Sequence, residues 1–311
     1  MGRAHYSCAI CLIAGVYSTV MSTAEPFAPS PHMGWLVVDF DGTCTERDTT
    51  PLLPKLTAIL QGDSDVEEAE RLAVFKELEM EFLSLYAASK EKLDDPTLTF
   101  EQALSSLDEP SNIVTHKVSQ SGILNGLAVS ADKLIEIIQS NDQIRDHVML
   151  KPGCLQVLEQ LPTNKWKLGI LSINWCPSLI EAALLSHLES PNVPIWSNQV
   201  DQNGRVALLV PGAVAKKERI AKLKAEADAS TIIIYIGDST TDLMALVEAD
   251  VGILIGESKS TMDMARKWGI PLVPIADRPA TEPFLSPKGG GTRMDVIWLA
   301  KSWLEIGEHL Q

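Results

Sequence analysis

The chain has 311 residues, 45% of them hydrophobic and 22% charged, a composition typical of a globular protein with a sizeable core. Its formal net charge of −15 leaves no basic excess to neutralise a phosphate backbone, which argues against a nucleic-acid-binding protein. The five cysteines are scattered and form neither a CxxC zinc pattern nor a dense disulfide framework, so we expect free thiols in a reducing compartment.

Residues 1–33 are interpreted as an N-terminal extension outside the fold. Arg3 and His5 precede an apolar stretch, Cys8 to Val16, which fits a secretory signal, an organelle-targeting segment or a ragged N-terminus. The stretch is too short and interrupted to predict a transmembrane helix, so we expect no stable membrane insertion. The expected location is cytoplasmic, or organellar (mitochondrial or plastid) if the extension is a targeting segment.

Five apolar runs in the rest of the chain predict β-strands. Residues 35–40, 167–173 and 231–238 are rich in Val, Ile and Leu without polar alternation, as expected for strands covered on both faces. Residues 251–256 and 271–276 predict two shorter strands. Between these runs lie helical stretches at residues 151–161, 216–227 and 240–250. Because strands and helices alternate, the predicted fold class is α/β with a doubly wound parallel sheet.

The segment of residues 51–148 has a different pattern. It contains long helical periodicity with an acidic excess at residues 66–93, a second helical stretch at residues 130–139, and no convincing strand. We therefore interpret it as a helical insert between the first and second strands of the core.

The C-terminal part of the chain is expected to contain a loop and one further helix. Residues 277–293 are rich in proline and glycine and predict a loop. Trp298 and Trp303 follow this loop, and both are assigned to the last helix.

The three long strands each end in polar residues. Asp39 and Asp41 follow the first strand, Ser172 and Asn174 the second, and Asp238 the third. Open α/β sheets bind ligands at the carboxyl ends of their strands, so these side chains are expected to converge on one site.

Asp39 and Asp41 suit phosphoryl transfer through a covalent enzyme intermediate. Such a reaction needs a carboxylate nucleophile, a proton donor for the leaving oxygen, a divalent metal and donors to the phosphoryl oxygens. Asp39 is the candidate nucleophile, and Asp41, on the same side of the chain, is the candidate proton donor. Gly42 and Thr43 predict a tight turn whose backbone N–H groups reach phosphate oxygens.

Further polar groups complete this set. Ser172 offers a hydroxyl to another phosphate oxygen. A lysine at the start of the predicted helix of residues 216–227 supplies a positive charge. Lys217 is favoured over Lys216 for this role because it points away from the apolar stripe of that helix. Asp238 and Asp242, in GDSTTD, supply carboxylates for Mg²⁺, which prefers oxygen ligands.

Together these segments resemble the four motifs of the haloacid dehalogenase superfamily of hydrolases. The motifs are DFDGT, the strand-ending Ser172, the helix-opening lysine and GDSTTD, and the resemblance covers about residues 34–275. It implies a Rossmann-like core of residues 34–50 and 149–311, with a helical cap inserted at residues 51–148.

The resemblance also implies residue roles. Asp39 is the nucleophile and Asp41 the general acid/base, while Mg²⁺ is held by Asp39, the Asp41 backbone carbonyl and Asp238, with Asp242 in support. A dehalogenase has no use for an acid beside its nucleophile, because halide leaves unprotonated, so Asp41 favours phosphate chemistry. A phosphomutase remains an alternative.

A narrower resemblance concerns the substrate. Residues 171–180, 235–256 and 301–306 are similar to the phosphatase domain of plant bifunctional thiamine-biosynthesis proteins, which implies thiamine monophosphate as substrate. Asn174 and Trp175 are expected substrate contacts. Trp175 either stacks on the cationic thiazolium or packs under the cap as an ordinary strand-end residue. The expected partner is a small phosphorylated metabolite. Alternative substrates are a nucleotide, phosphoserine and pyridoxal phosphate. An alternative function is that of a non-catalytic protein that binds such a metabolite.

Overall fold

The structure, a computed structural model, describes residues 34–93, 95, 97–161, 165–188, 192–278 and 296–310. The predicted N-terminal extension, residues 1–33, lies outside the described residues, as does most of the predicted loop at residues 277–293. Within the described part of the chain, none of the helices combines the length and apolarity needed to cross a membrane.

A parallel β-sheet of seven strands forms the centre of the fold. Its strand order is β3-β2-β1-β6-β7-β9-β8, and β4 and β5 form a separate antiparallel pair. Every residue of β6 and β7 is buried, which explains their uninterrupted apolar sequences. The predicted doubly wound α/β fold is therefore confirmed. The strands are β1 (Gly34–Val38), β2 (Trp166–Leu171), β3 (Ile195–Trp196), β4 (Gln199–Val200), β5 (Val206–Ala207), β6 (Ile233–Gly237), β7 (Val251–Ile255), β8 (Leu272–Pro274) and β9 (Ile297–Ala300).

The helices flank this sheet, and the two longest have capping boxes at their N-termini. Ser64 exchanges hydrogen bonds with Glu67 at the start of α2, and Thr99 does the same with Gln102 at the start of α3. The helices are α1 (Leu53–Gln61), α2 (Asp65–Lys92), α3 (Phe100–Ser121), α4 (Ala131–Ser140), α5 (Asp142–His147), α6 (Cys154–Gln160), α7 (Pro177–Ala183), α8 (Ala213–Glu226), α9 (Leu243–Glu248), α10 (Lys259–Lys267) and α11 (Trp303–Leu310).

Helices α1 to α5 all lie between β1 and β2 in the chain. The segments that enter and leave this helical stretch run side by side, because Thr45 pairs with Leu150 and the Lys151 N–H donates to the Cys44 carbonyl at 2.8 Å. Leu53 in α1 belongs to the same buried cluster as Leu36 and Val38 of β1. The division into a core and a separate cap at residues 51–148 stays a prediction.

The C-terminal prediction is wrong for Trp298. This residue lies in β9, which is paired on one side with β7 and on the other with β8, whereas Trp303 does lie in the last helix, α11. A four-residue apolar run does not distinguish a strand from the first turn of a helix by periodicity, so the partners in the sheet decide. The short strands β3, β4 and β5 were not predicted either.

Asp108 connects α3 to the first turn of α8. Its side chain is 8% exposed, and Oδ1 accepts a hydrogen bond from the Ala213 N–H at 3.2 Å. The residue before α8, Gly212, has no side chain with which to cap the helix, and a Cβ there would lie 2.0 Å from Asp108 Cγ. A carboxylate from another helix therefore takes the place of an N-terminal cap.

The Asp108 carboxyl predicts a pH dependence of folding. Burial raises its pKa from 3.8 to about 6, with the Ala213 N–H opposing this. The folded state therefore retains a proton that the unfolded chain loses, so stability falls as pH rises from about 4 to above 6, by up to roughly 3 kcal/mol. Asp108→Asn keeps an acceptor and lacks this titration. Urea unfolding at pH 4 and pH 7.5 should show wild type losing stability relative to this variant as pH rises.

An exposed neighbour provides the control for this measurement. Glu109 follows Asp108 in α3 and is exposed. Glu109→Gln removes a carboxylate from the same helix without touching α8. The expected effect would be contradicted if wild type and Asp108→Asn differed in free energy of unfolding by the same amount at pH 4 and at pH 7.5.

Candidate active site

The predicted residues that follow β2, β1 and β6 converge because these three strands are neighbours in the sheet. Val38 in β1 is in register with Ile170 on one side and Ile236 on the other. The Asp39 N–H extends this pairing, donating to the Ile236 carbonyl at 2.9 Å. The three polar strand ends therefore lie at one edge of the sheet, as predicted for parallel strands.

A buried ionic cluster occupies this edge. Carboxylate oxygens of Asp39, Asp238 and Asp242 lie within 4.8 Å of one another. The Lys216 ammonium, which is fully buried, lies 3.0 Å from Asp39 Oδ1 and donates a hydrogen bond to Asp242 Oδ1 at 2.7 Å. One lysine thus faces several acidic groups, which leaves the cluster with an excess of negative charge.

The prediction that Lys217 lies in this site is wrong. Lys217 pairs with Glu101 on the protein surface at 3.1 Å, and the residue before it, Lys216, enters the cluster. The prediction assumed that a lysine avoids the apolar stripe of its helix. Lys216 lies one turn before Ile220 on the buried face of α8, and the two carboxylates beside it compensate its charge.

Asp242 holds the lysine in place and is itself fully hydrogen-bonded. Its Oδ1 also accepts from the Tyr235 hydroxyl at 2.6 Å, and its Oδ2 accepts from the Asp238 and Ser239 N–H groups. Tyr235 was not among the residues predicted from the sequence. A hydroxyl in an otherwise apolar strand, three residues before Asp238, was the available signal. Asp242 therefore positions Lys216, and its predicted support of a metal ion stays a prediction.

Asp41 lies beside this cluster and is held by two residues. Its Oδ1 accepts from the Thr49 N–H at 2.8 Å and from the Thr49 hydroxyl at 2.6 Å, and its Oδ2 accepts from Asn174 Nδ2 at 2.7 Å. Thr49 was not predicted, and nothing in its local sequence indicated it. Asn174 touches Asp41 in this structure, and its predicted contact with substrate stays a prediction.

The turn after Asp41 supports Asp238. Gly42 has a φ of 73°, and a Cβ there would lie 2.6 Å from Asp238 Oδ2, so glycine is required for this close approach. The Thr43 hydroxyl donates to Asp238 Oδ1 at 2.8 Å, and the Gly42 N–H donates to Thr45 Oγ1 at 3.1 Å. The predicted contacts of Gly42 and Thr43 with phosphate stay predictions.

Ser172 and Trp175 follow β2, on the side of β1 opposite β6. Ser172 is fully buried, and its Oγ accepts the Asn174 N–H at 3.1 Å, which leaves the hydroxyl proton to be donated elsewhere. Trp175 lines a cavity beside the site while also packing against the buried core. Both interpretations of Trp175 are therefore compatible with its position.

Burial dominates the electrostatics of the carboxyl groups. It raises the pKa of Asp39 well above its usual range, against the effect of Lys216, and raises the pKa values of Asp41 and Asp238 to about 6. The neighbouring Asp48 also raises the pKa of Asp41. For Lys216, burial lowers the pKa, but Asp242 and Asp39 outweigh it and the net shift is upward. These carboxyl groups therefore favour a compensating positive charge.

The environment of the Asp39 carboxylate indicates whether the site fits a metal ion. Its buried Oδ1 has no hydrogen-bond partner among the described residues, since Lys216 approaches at ion-pair distance without hydrogen-bond geometry. Asp238 adds a second carboxylate within ligand range. A buried oxygen that accepts no hydrogen bond, in an all-oxygen donor set with excess negative charge, fits a hard divalent cation such as Mg²⁺.

Comparison with known proteins adds two distant relatives. No protein-family model matches the chain. The bifunctional TH2 protein of Arabidopsis thaliana, described as mitochondrial, is 24% identical in an alignment that covers 86% of this chain and 48% of that protein. A CTO1 family protein of Schizosaccharomyces pombe is 25% identical in an alignment that covers 87% of this chain and 97% of that protein. The chain thus spans about half the length of the plant relative.

The motifs predicted from the sequence lie together in the structure. The motif residues of DFDGT, Ser172 and GDSTTD follow adjacent strands of one doubly wound parallel sheet, with a buried lysine beside them. These are the motifs that resemble those of the haloacid dehalogenase superfamily. Among solved structures, a cytosolic 5′-nucleotidase IIIB bound to cytidine matches at 14% identity with a TM-score of 0.48, covering 90% of this chain and 84% of that one.

Proposed function

We propose that the protein is a Mg²⁺-dependent phosphomonoesterase that acts through an aspartyl-phosphate intermediate. The observation that carries this proposal is the buried cluster in which Lys216 and Asp238 surround an Asp39 oxygen that lacks a hydrogen bond. A second carboxyl group, Asp41, lies two residues along the chain and is held by hydrogen bonds on both oxygens. A protein that only binds a phosphorylated metabolite has no need of this proton donor.

In the first step, an Asp39 carboxylate oxygen forms a bond to phosphorus as the bond between phosphorus and the ester oxygen breaks. Asp41 donates its proton to the leaving alkoxide, so the alcohol is released neutral. A pKa of about 6 suits this role, because a general acid works best when its pKa is near the working pH. The Lys216 ammonium and the Ser172 hydroxyl hold the phosphoryl oxygens.

In the second step, water attacks the phosphorus of the aspartyl phosphate and gives a proton to the Asp41 carboxylate. The bond between phosphorus and the Asp39 oxygen breaks, which releases phosphate and regenerates both carboxyl groups. The Thr49 and Asn174 hydrogen bonds keep Asp41 oriented through both proton transfers. The same residue therefore serves as acid and then as base.

Asp39, Asp238 and the Asp41 backbone carbonyl would hold the Mg²⁺ ion, with Asp242 in support. Once bound, the ion would neutralise charge on the phosphoryl oxygens, on the nucleophile and on the carboxylates whose pKa values burial raises.

Thiamine monophosphate is the substrate that we favour. Three segments of the chain resemble the phosphatase domain of plant bifunctional thiamine-biosynthesis proteins, and the relative from Arabidopsis thaliana is similar at 24% identity. The alternatives are a nucleotide, phosphoserine or pyridoxal phosphate. That relative is described as mitochondrial, so an organellar targeting role for residues 1–33 belongs to the same proposal.

Phosphate release by the purified protein tests the function. We expect turnover of small phosphomonoesters with Mg²⁺, loss of turnover in EDTA, and recovery when Mg²⁺ is restored. Thiamine monophosphate should exceed thiamine diphosphate, nucleoside monophosphates, phosphoserine, pyridoxal phosphate and sugar phosphates by about ten-fold in kcat/KM. A different preferred ester would overturn the substrate and keep the reaction. No Mg²⁺-dependent release from any ester would overturn the phosphatase and favour a binding protein.

A further inference from the structure

A cavity of about 280 Å³ lies between α2, α3 and the loops at the site edge of the sheet. Phe75 and Phe82 of α2 form one wall, and Trp175 and Thr50 lie on the side of the core. Its volume is near the lower end for small-molecule sites, roughly 300–1,000 Å³. The cavity is thus large enough for a small ring system.

The cavity adjoins the proposed proton donor. The side chains of Thr49 and Asn174 donate hydrogen bonds to Asp41. The residues that follow them in the chain, Thr50 and Trp175, line the cavity. A leaving group in the cavity would therefore have its ester oxygen on the side of the site where Asp41 lies. The non-phosphate half of a substrate would then lie in the cavity.

The charged residues that line the cavity carry one sign. Asp48 and Glu79 are acidic, and none of the described lining residues is Lys, Arg or His. Aromatic faces together with a carboxylate are the features that bind an organic cation. A second phosphate would meet these carboxylates without a compensating base, so the lining also disfavours a diphosphate.

Glu79 is the more available of the two carboxylates. It lies one turn from both Phe75 and Phe82 on α2, and it pairs with Lys76 at 2.6 Å, where the lysine side chain is 67% exposed. Exposed ion pairs of this kind contribute little free energy, so a ligand cation replaces Lys76 at small cost. Asp48, by contrast, accepts the Thr50 N–H at 2.9 Å.

We propose that Glu79 determines specificity at this site: its carboxylate pairs with the positive charge of an aromatic leaving group that lies between Phe75, Phe82 and Trp175. The inference rests on the proposed phosphatase function and extends it to the class of leaving group. It selects a cationic heteroaromatic monoester over a neutral ester of the same shape.

A matched pair of substrates tests the charge directly. The probes are the phosphate esters of 4-methyl-5-(2-hydroxyethyl)thiazole and of its N-methylthiazolium, which differ by one methyl group and one positive charge. Wild type should prefer the cation, and Glu79→Gln should reduce the ratio of the two kcat/KM values about ten-fold, mainly through KM. Glu77→Gln, an exposed change on the same helix, should leave the ratio unchanged.

A second variant tests the displaced partner. Lys76→Gln removes the group that competes for Glu79, so it should lower KM for the cationic ester and leave the neutral one alone. A ratio that is the same in wild type and Glu79→Gln, or that Glu77→Gln lowers equally, would overturn the proposal.

Binding without turnover separates this inference from the proposed reaction. Quenching of Trp175 fluorescence, taken as the difference from Trp175→Phe, reports binding of the two unphosphorylated alcohols. We expect tighter binding of the N-methylthiazolium, and loss of that preference in Glu79→Gln. If neither ester is hydrolysed, the phosphatase function fails and this measurement still decides the role of Glu79. Equal binding of both alcohols to wild type would overturn that role even in an active phosphatase.

Discussion

Asp39→Asn is expected to abolish phosphate release while the protein remains folded. Removing the nucleophile eliminates the covalent route, and losses of about 10⁴-fold or more in kcat are typical of such changes. Acid quenching during turnover of a ³²P-labelled ester should leave label on the wild-type protein and none on the variant. Asp39→Ala should behave in the same way and cannot revert by hydrolysis of an asparagine.

The same variant has an expected effect on stability. Burial raises the pKa of Asp39 well above its usual range. An ionised Asp39 carboxylate therefore destabilises the metal-free folded state at neutral pH. When the pKa of a carboxyl group is higher in the folded state than in the unfolded chain, the free energy of unfolding falls as pH rises between the two pKa values. Metal-free Asp39→Asn should therefore unfold at the same or a higher urea concentration than wild type at pH 8.

An exposed aspartate provides the control. Asp228→Asn changes the same chemical group on the surface and should alter neither labelling nor turnover. Full activity in Asp39→Ala, or labelled protein in that variant, would mean that another residue is the nucleophile.

Lys216→Met is expected to impair both activity and folding. The ammonium is fully buried between Asp39 and Asp242, so its removal leaves two buried carboxylates without their cation. Breaking a buried ion pair from one side costs about 3–5 kcal/mol. Loss of a charge that holds the phosphoryl group lowers kcat by roughly 10²–10³-fold. Urea unfolding and steady-state kinetics measure the two effects separately.

Lys217→Met is the matched control on the next residue of the same helix. Lys217 pairs with Glu101 at the surface, where its side chain is 33% exposed and that of Glu101 is 54% exposed. An exposed pair contributes at most about 1 kcal/mol, so this variant should keep near-wild-type stability and kcat. The opposite pattern, with Lys217→Met inactive and Lys216→Met active, would contradict the assignment.

The sequence alone was sufficient for the fold class and for most of the acidic residues of the site. Uninterrupted apolar runs identified β1, β2, β6, β7 and β8, because a strand covered on both faces has few polar residues. Asp39 and Asp238 were identifiable because each directly follows such a strand. In a parallel sheet, neighbouring strand ends are brought to the same edge whatever the intervening loops do.

Only the tertiary structure decided which groups contact those aspartates. Helical periodicity places Lys216 on the buried face of α8, but it does not reveal that Asp39 and Asp242 lie opposite and compensate its charge. Tyr235 and Thr49 act through residues 7 and 8 positions away along the chain, by hydrogen bonds that depend on how the turns fold. The strand β9 is defined by its pairing with β7 and β8. Local sequence determines which face of an element is apolar, whereas charge compensation and strand pairing depend on partners that folding brings together.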